Sequence, residues 1–256
     1  MKMKMVYLSI QSTDAGVVRP SSEDVAKENG WDLDFFGVNS SDVDQDPLLY
    51  NELVRKTKAA DFVLIRVMAD PYRMLRFEQY EKVVNEIGGS VFVYSGDPEV
   101  AALYRGLFRQ SDEDYKLLYR YCRAKGRDND RAIVMWLRRM LTGEGDVPQP
   151  DIPRTSGIHH PDFGADITMD EYLGHLDPSE PTVGVVFPVG NWLYGNMAHI
   201  DAFIREIEAQ GMNVIPIFAG RGEDEDESAV EIIKRYFISP GGRRIDALGD
   251  GDGVLA

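Results

Sequence analysis

A strand-length apolar run, then a stretch of helix length, then another apolar run: this alternation recurs along the N-terminal part of the chain and constrains its fold most. MVYLSI (Met5–Ile10), LDFFGV (Leu33–Val38), DFVLIRVM (Asp61–Met68) and SVFVYSG (Ser90–Gly96) have the β-branched and aromatic content of strands. DFVLIRVM is apolar without alternating, as a parallel strand buried on both faces must be. The intervening segments read as helices. SSEDVAKENG offers Ser21 or Ser22 as N-cap and Gly30 just past its end. DPLLYNELVRKTKAA has Pro47 near its first turn, with Leu48, Leu49, Leu53 and Val54 at helical spacing. MLRFEQYEKVVNEIGG is closed by glycines. Short connections between such elements predict a doubly wound parallel sheet. Three helical segments then follow between about Pro98 and Leu141.

The rhythm stops at TGEGDVPQPDIPRTSG, where three prolines and three glycines in sixteen residues sustain neither period. It restarts with TVGVVFPVG (Thr182–Gly190), MAHIDAFIREIEAQG (Met197–Gly211), MNVIPIFAG and DESAVEIIKRYFI. The expected architecture is therefore α/β, with two Rossmann-like or flavodoxin-like lobes on parallel sheets. The boundaries are 1–142 for the first lobe with its helical extension, 143–180 for a linker and entry segment, and 181–256 for an incomplete second lobe. The tail GDGDGVLA has poor strand propensity. The last eight residues are expected to lack order, leaving apolar surface of VGVVF and VIPIF uncovered.

Charge narrows the function classes. A net charge of -15 disfavours non-specific attachment to nucleic acid or an anionic membrane. One basic stretch runs from Arg105 through Arg139, but acidic residues interleave it, which suits a solvated helical face better than an anion groove. The single cysteine, Cys122, sits in an apolar helical pattern and reads as a buried, inert thiol. No run approaches membrane-spanning length and no signal peptide opens the chain, so a cytoplasmic protein is expected.

Ligands of open parallel sheets sit beyond the carboxyl ends of the strands. That edge should carry PVGNWLYGNMAH, where Asn191, Asn196 and His199 supply hydrogen-bonding groups. Gly195 allows close approach there, and Trp192 and Tyr194 supply flat apolar faces. Asn196 also stands where a helix N-cap belongs. His159 and His160, in SGIHHPDFG, are candidate metal ligands. Adjacent side chains of an extended segment point to opposite sides, however, and no closed ligand spacing accompanies them. STDAG after the first strand and RGEDEDES before the last helix are explained as turn chemistry and as a charge run at a helix start. The phosphate-binding fingerprints G-x-G-x-x-G and G-x-x-x-x-G-K-[ST] are absent.

GIHHPD, then EYL, then PTVGVVFPVGNWLYGN, then IDAFIREIEAQGMNVIPIF resembles, in this order and spacing, the large subunit of cobaltochelatase (CobN type) and its relative, the H subunit of magnesium chelatase. The resemblance runs from Gly157 to about Ala247, with a weaker echo in ADFVLIRVMAD and SGDPE. It implies a component of an ATP-dependent chelatase, with cobalt(II) or magnesium as substrate metal and a corrin or porphyrin as substrate. ATP would be used by separate AAA+ partner subunits, which fits the missing phosphate-loop lysine. Where that family often carries arginine and serine after the strand, this chain has Val189 and Gly190. Family members are several times longer, so the resemblance implies an N-terminal portion, inactive alone, and assigns no catalytic residue. A stand-alone binding protein for a tetrapyrrole or other small ligand, or the remnant of a split gene, are the alternatives.

Overall fold

The structure is a computed structural model that describes residues 1–10, 14–68, 70–164, 166–220, 229–250 and 253–255. Ser12 and Thr13 of STDAG, and the whole of RGEDEDES, lie outside the described residues. The chain divides into two compact units, Met1–Asp151 and Ile152–Ala256.

The first unit runs β1 (Lys2–Ile10), α1 (Ala15–Glu28), β2 (Asp32–Asn39), α2 (Ser40–Gln45), α3 (Pro47–Lys58) and β3 (Phe62–Val67). It continues through α4 (Phe77–Glu86), β4 (Ser90–Ser95), α5 (Pro98–Leu103), α6 (Asp112–Ala124) and α7 (Arg127–Thr142). Its strands form one parallel sheet in the order β2-β1-β3-β4. Alternation along β1 divides the core. Met3, Met5 and Tyr7 pack with residues of α1, α6 and α7, while Val6, Leu8 and Ile10 pack with residues of α2, α3 and α4. Every residue of β3 and β4 is buried, as the apolar runs require.

Helix α1 begins well before the serines expected to cap it. Ser21 and Ser22 are buried inside it, and its first amide, Ala15 N, donates to Asn39 Oδ1 from the end of β2 at 3.2 Å. The cap is thus supplied 24 residues away in sequence. Pro20 is accommodated within the helix. Its neighbour Arg19 donates to the carbonyls of Phe35 and Gly37, tying that turn to β2. The proline-rich VPQPD segment ends this unit. Tyr121 Oη donates to the Pro148 carbonyl, and Asn129 exchanges side-chain hydrogen bonds with the Asp151 backbone at 2.8 and 3.0 Å.

The second unit contains β5 (Ser156–Ile158), α8 (Met169–Leu173), β6 (Thr182–Pro188), α9 (Val189–Tyr194), α10 (Ala198–Ala209) and β7 (Asn213–Ala219). It closes with α11 (Ala229–Phe237), β8 (Ile238–Ser239), β9 (Gly242–Arg243), β10 (Ala247–Asp250) and β11 (Gly253–Leu255). The sheet order is β11-β10-β6-β7-β5. Strands β10, β6 and β7 are parallel, while β11 and β5 run antiparallel at the two edges, so this sheet is mixed where an all-parallel one was expected. The segment 152–180, read from sequence as linker and entry, folds within this unit through β5 and α8.

The glycine-rich tail is also corrected. Ala247–Asp250 pairs with Val183–Val186, and Gly253–Leu255 turns back on it. Asp246 Oδ2 accepts from Thr182 N at 2.9 Å while Asp246 N donates to Thr182 O at 2.7 Å, which starts the ladder. Ladder hydrogen bonds come from the backbone, so low side-chain propensity does not forbid the strand. With both faces covered, Val185, Phe187, Ile215, Ile217 and Phe218 are buried rather than left as open apolar surface.

Candidate functional site

The carboxyl ends of β6 and β7 meet the start of β5, because β5 runs the other way. Glycines let three elements close on this edge. A Cβ on Gly157 would stand 2.5 Å from Phe218 Cζ, and one on Gly220 would stand 2.2 Å from Val189 Cγ1. Gly157 of GIHHPD therefore lies directly on the Phe218 ring. Trp192 stacks on the same ring at 4.5 Å between centroids, with an interplanar angle of 3°. The Arg154 guanidinium lies over Trp192 at 5.6 Å. The result is a half-buried Trp192 ring stacked on the buried Phe218 ring, with a cation over it.

The PVGNWLYGNMAH stretch forms the short helix α9 rather than an open loop, and Gly195, at φ +68°, ends it in the left-handed conformation that glycine adopts without strain. Asn191 and Tyr194 are half-buried, and Gly195, Asn196 and His199 are exposed. Asn196 is not the N-cap of α10. That position is Met197, and Asn196 N instead donates to Asn191 O at 2.8 Å. The sequence-predicted residues thus gather around α9 and the start of α10.

His159 and His160 do something else. His159 Nε2 bonds Asp201 Oδ1 at 2.9 Å, and His160 Nε2 bonds Glu208 Oε1 at 2.9 Å. Both carboxylates belong to α10, seven residues apart, or about 10 Å along the axis. The two rings therefore pin one segment to one helix at two heights. Buried His160 also packs against Phe163 and Tyr172, whose hydroxyl donates to Val214 O at 2.7 Å. Burial pushes the Tyr172 hydroxyl well above its ordinary range. Arg205 completes the clamp, pairing with Asp162 and, at 2.9 Å, with Glu208. Its hydrogen bond to Asp162 holds that carboxyl below the usual carboxylate range. Among the described residues, no group of three or more His, Cys, Asp and Glu side chains is arranged to hold a metal ion.

Sequence reasoning missed Arg154, Ser156, Asp166 and Arg235. They border a cleft of about 580 Å³ at this edge, on the face of the sheet opposite α10. Arg154 was hidden in a segment whose prolines and glycines read only as linker. Within the basic stretch Arg105–Arg139 of the first unit, Arg105 pairs with Asp112, Arg131 with Glu28 and Arg139 with Asp114. Cys122 is buried, and burial pushes its thiol up to about 12. No helix among the described residues is long and apolar enough to cross a membrane.

Comparison with known proteins gives these features a setting. The family model for CobN/Magnesium Chelatase matches residues 119–249, just over half of the chain. The H subunit of magnesium chelatase from Rhodobacter capsulatus is 30% identical over 112 residues, covering 43% of this chain and 8% of that protein. The structure described as the catalytic subunit of cobaltochelatase from Mycobacterium tuberculosis aligns with 96% of this chain at a TM-score of 0.56 and 18% identity. The aligned part is 18% of that protein, so the chain spans under a fifth of its length and under a tenth of the Rhodobacter relative's.

Proposed function

The chain belongs to the CobN/magnesium chelatase family, and from that premise we propose that its second unit contributes a docking face for the tetrapyrrole substrate of a metal chelatase large subunit. The observation that carries this reading is the aromatic stack of Trp192 on Phe218 beneath Arg154, at the carboxyl edge of the sheet. A flat macrocycle bearing carboxylates calls for a flat apolar surface with a cation close by. Asn191, Tyr194, Asn196 and His199, on α9 or shortly after it in sequence, would supply polar contacts around the ring.

In the reaction served, two pyrrolic protons leave the macrocycle as a divalent metal enters. Cobalt(II) into a corrin, for cobalamin biosynthesis in the cytoplasm, is the first reading. Magnesium into protoporphyrin is the second reading, favoured by the Rhodobacter relative. In either branch the metal is a substrate and ATP is consumed by AAA+ partner subunits. This chain alone is expected to insert no metal and hydrolyse no ATP. A titration of the purified chain with a metal-free corrinoid and with protoporphyrin, followed in the macrocycle's absorbance, tests the reading. Saturable binding that weakens about tenfold in Trp192→Ala, a loss of about 1.4 kcal/mol, supports it. Equal affinity in wild type and variant returns α9 to a structural role.

A further inference from the structure

The cleft on the face opposite α10 has its own chemistry. Its floor is the start of β5, its walls are the 166–169 segment and α11, and it is lined by Ile158, Ile167, Met169 and Tyr236 as well as by two arginines. In a chain of net charge -15, Arg154 and Arg235 converge here, with Asp166 as the one acidic residue among the described residues of the lining. Neither arginine is unpaired. Arg235 Nη2 donates to Ser156 Oγ at 2.6 Å, and Arg154 Nη2 bonds Asp166 Oδ1 at 3.0 Å. Asp166 is fully exposed, so its ion pair contributes little and exchanges readily. The Ser156 hydroxyl is a neutral acceptor, weaker than an ionised one. Both guanidinium groups lie over aromatic rings, Arg154 over Trp192 at 5.6 Å and Arg235 over Tyr236 at 5.1 Å. Stacking uses the guanidinium faces and leaves recognition to the in-plane N–H edges, which suit carboxylate geometry.

We propose that this cleft binds a carboxylate attached to an apolar body, with Arg235 and Arg154 engaging the carboxylate and Ile158, Ile167, Met169 and Tyr236 the body. On binding, the ligand carboxylate replaces Asp166 on Arg154 and takes a donor of Arg235 alongside Ser156. The cleft shares Arg154 with the tetrapyrrole face above, while Arg235, Ser156 and the apolar lining lie outside that reading and its ligand need not be a macrocycle.

The test uses 1-pyrenebutyrate and its uncharged counterpart 1-pyrenebutanol as probes, with binding to the full chain followed by fluorescence anisotropy. The acid should bind at least about tenfold tighter than the alcohol in low salt, and the preference should shrink as salt rises. Arg235→Ala and Arg154→Ala should each remove most of that preference while leaving alcohol binding nearly unchanged, and Arg235→Lys should restore part of it. Circular dichroism establishes that each variant is folded, and the salt dependence of wild type reads the charge term without any substitution. Equal affinity for acid and alcohol, or a preference that survives both alanine variants, would overturn the proposal. Neither outcome depends on whether a corrinoid or porphyrin binds.

Discussion

The two units use one strand–helix grammar but spend their polar groups differently. In the first unit, charged and aromatic polar groups close on one another inside the packing. Trp136 Nε1 and Arg139 both donate to Asp114, Arg66 pairs with Asp14 at 3.2 Å, and Lys56 with Asp34 at 2.7 Å. In the second unit, the corresponding groups lie at the edge of a mixed sheet, clamping β5 to α10 and lining a cleft. That closure is incomplete, since Tyr7 Oη, Ser9 Oγ and Ser21 Oγ of the first unit are buried without a hydrogen-bond partner among the described residues. Groups presented at a sheet edge can meet a ligand.

The comparison breaks first where packing is tightest. Trp136 is 1% exposed, meets Phe62 edge-on at 5.0 Å and stacks on Phe108 at 5.9 Å. Trp136→Ala should cost about 3–5 kcal/mol in urea denaturation followed by far-ultraviolet circular dichroism. It should leave tetrapyrrole and pyrenebutyrate affinity of the folded fraction unchanged. Gly157→Ala comes next. It drives a methyl into the Phe218 ring and should cost about 1–3 kcal/mol. Unlike the first variant, it should also shift Trp192 emission, since that ring rests on Phe218.

His160→Ala should cost about 1–2 kcal/mol, because Glu208 keeps Arg205 as a partner. Cobalt(II) binding by calorimetry should be essentially the same in His159→Ala, His160→Ala and wild type, and a tight stoichiometric site lost in either would reverse that reading. The smallest effect belongs to Asp162, whose folded-state carboxyl Arg205 holds below its ordinary range. A depressed carboxyl contributes stability above its unfolded value of about 3.9 and loses it as pH falls through the folded value. Wild type and Asp162→Asn should therefore differ slightly near pH 7, and the difference should close in acid.

What was legible in the sequence was whatever is periodic or local. The apolar runs announced β1 to β4, β6 and β7, and Gly30 announced the end of α1. What was hidden depends on partners distant along the chain. The amide that starts α1 is capped by Asn39, and the two histidines find carboxylates 42 and 48 residues on. β5 is three residues long, too short to show a period, and it carried Ser156 out of sight with it, while Arg154 stands in the proline-rich stretch just before it. The tail misled for the opposite reason: its glycines weaken side-chain propensity, yet the backbone ladder with β6 forms without it.

The central proposal is that tetrapyrrole docking belongs to the second unit. Hydrogen–deuterium exchange of the chain with and without saturating metal-free corrinoid or protoporphyrin tests it directly. The account predicts slowed exchange in the amides of 189–199 around α9, with amides of Met1–Asp151 unaltered. Protection centred in the first unit, with none around α9, would contradict it.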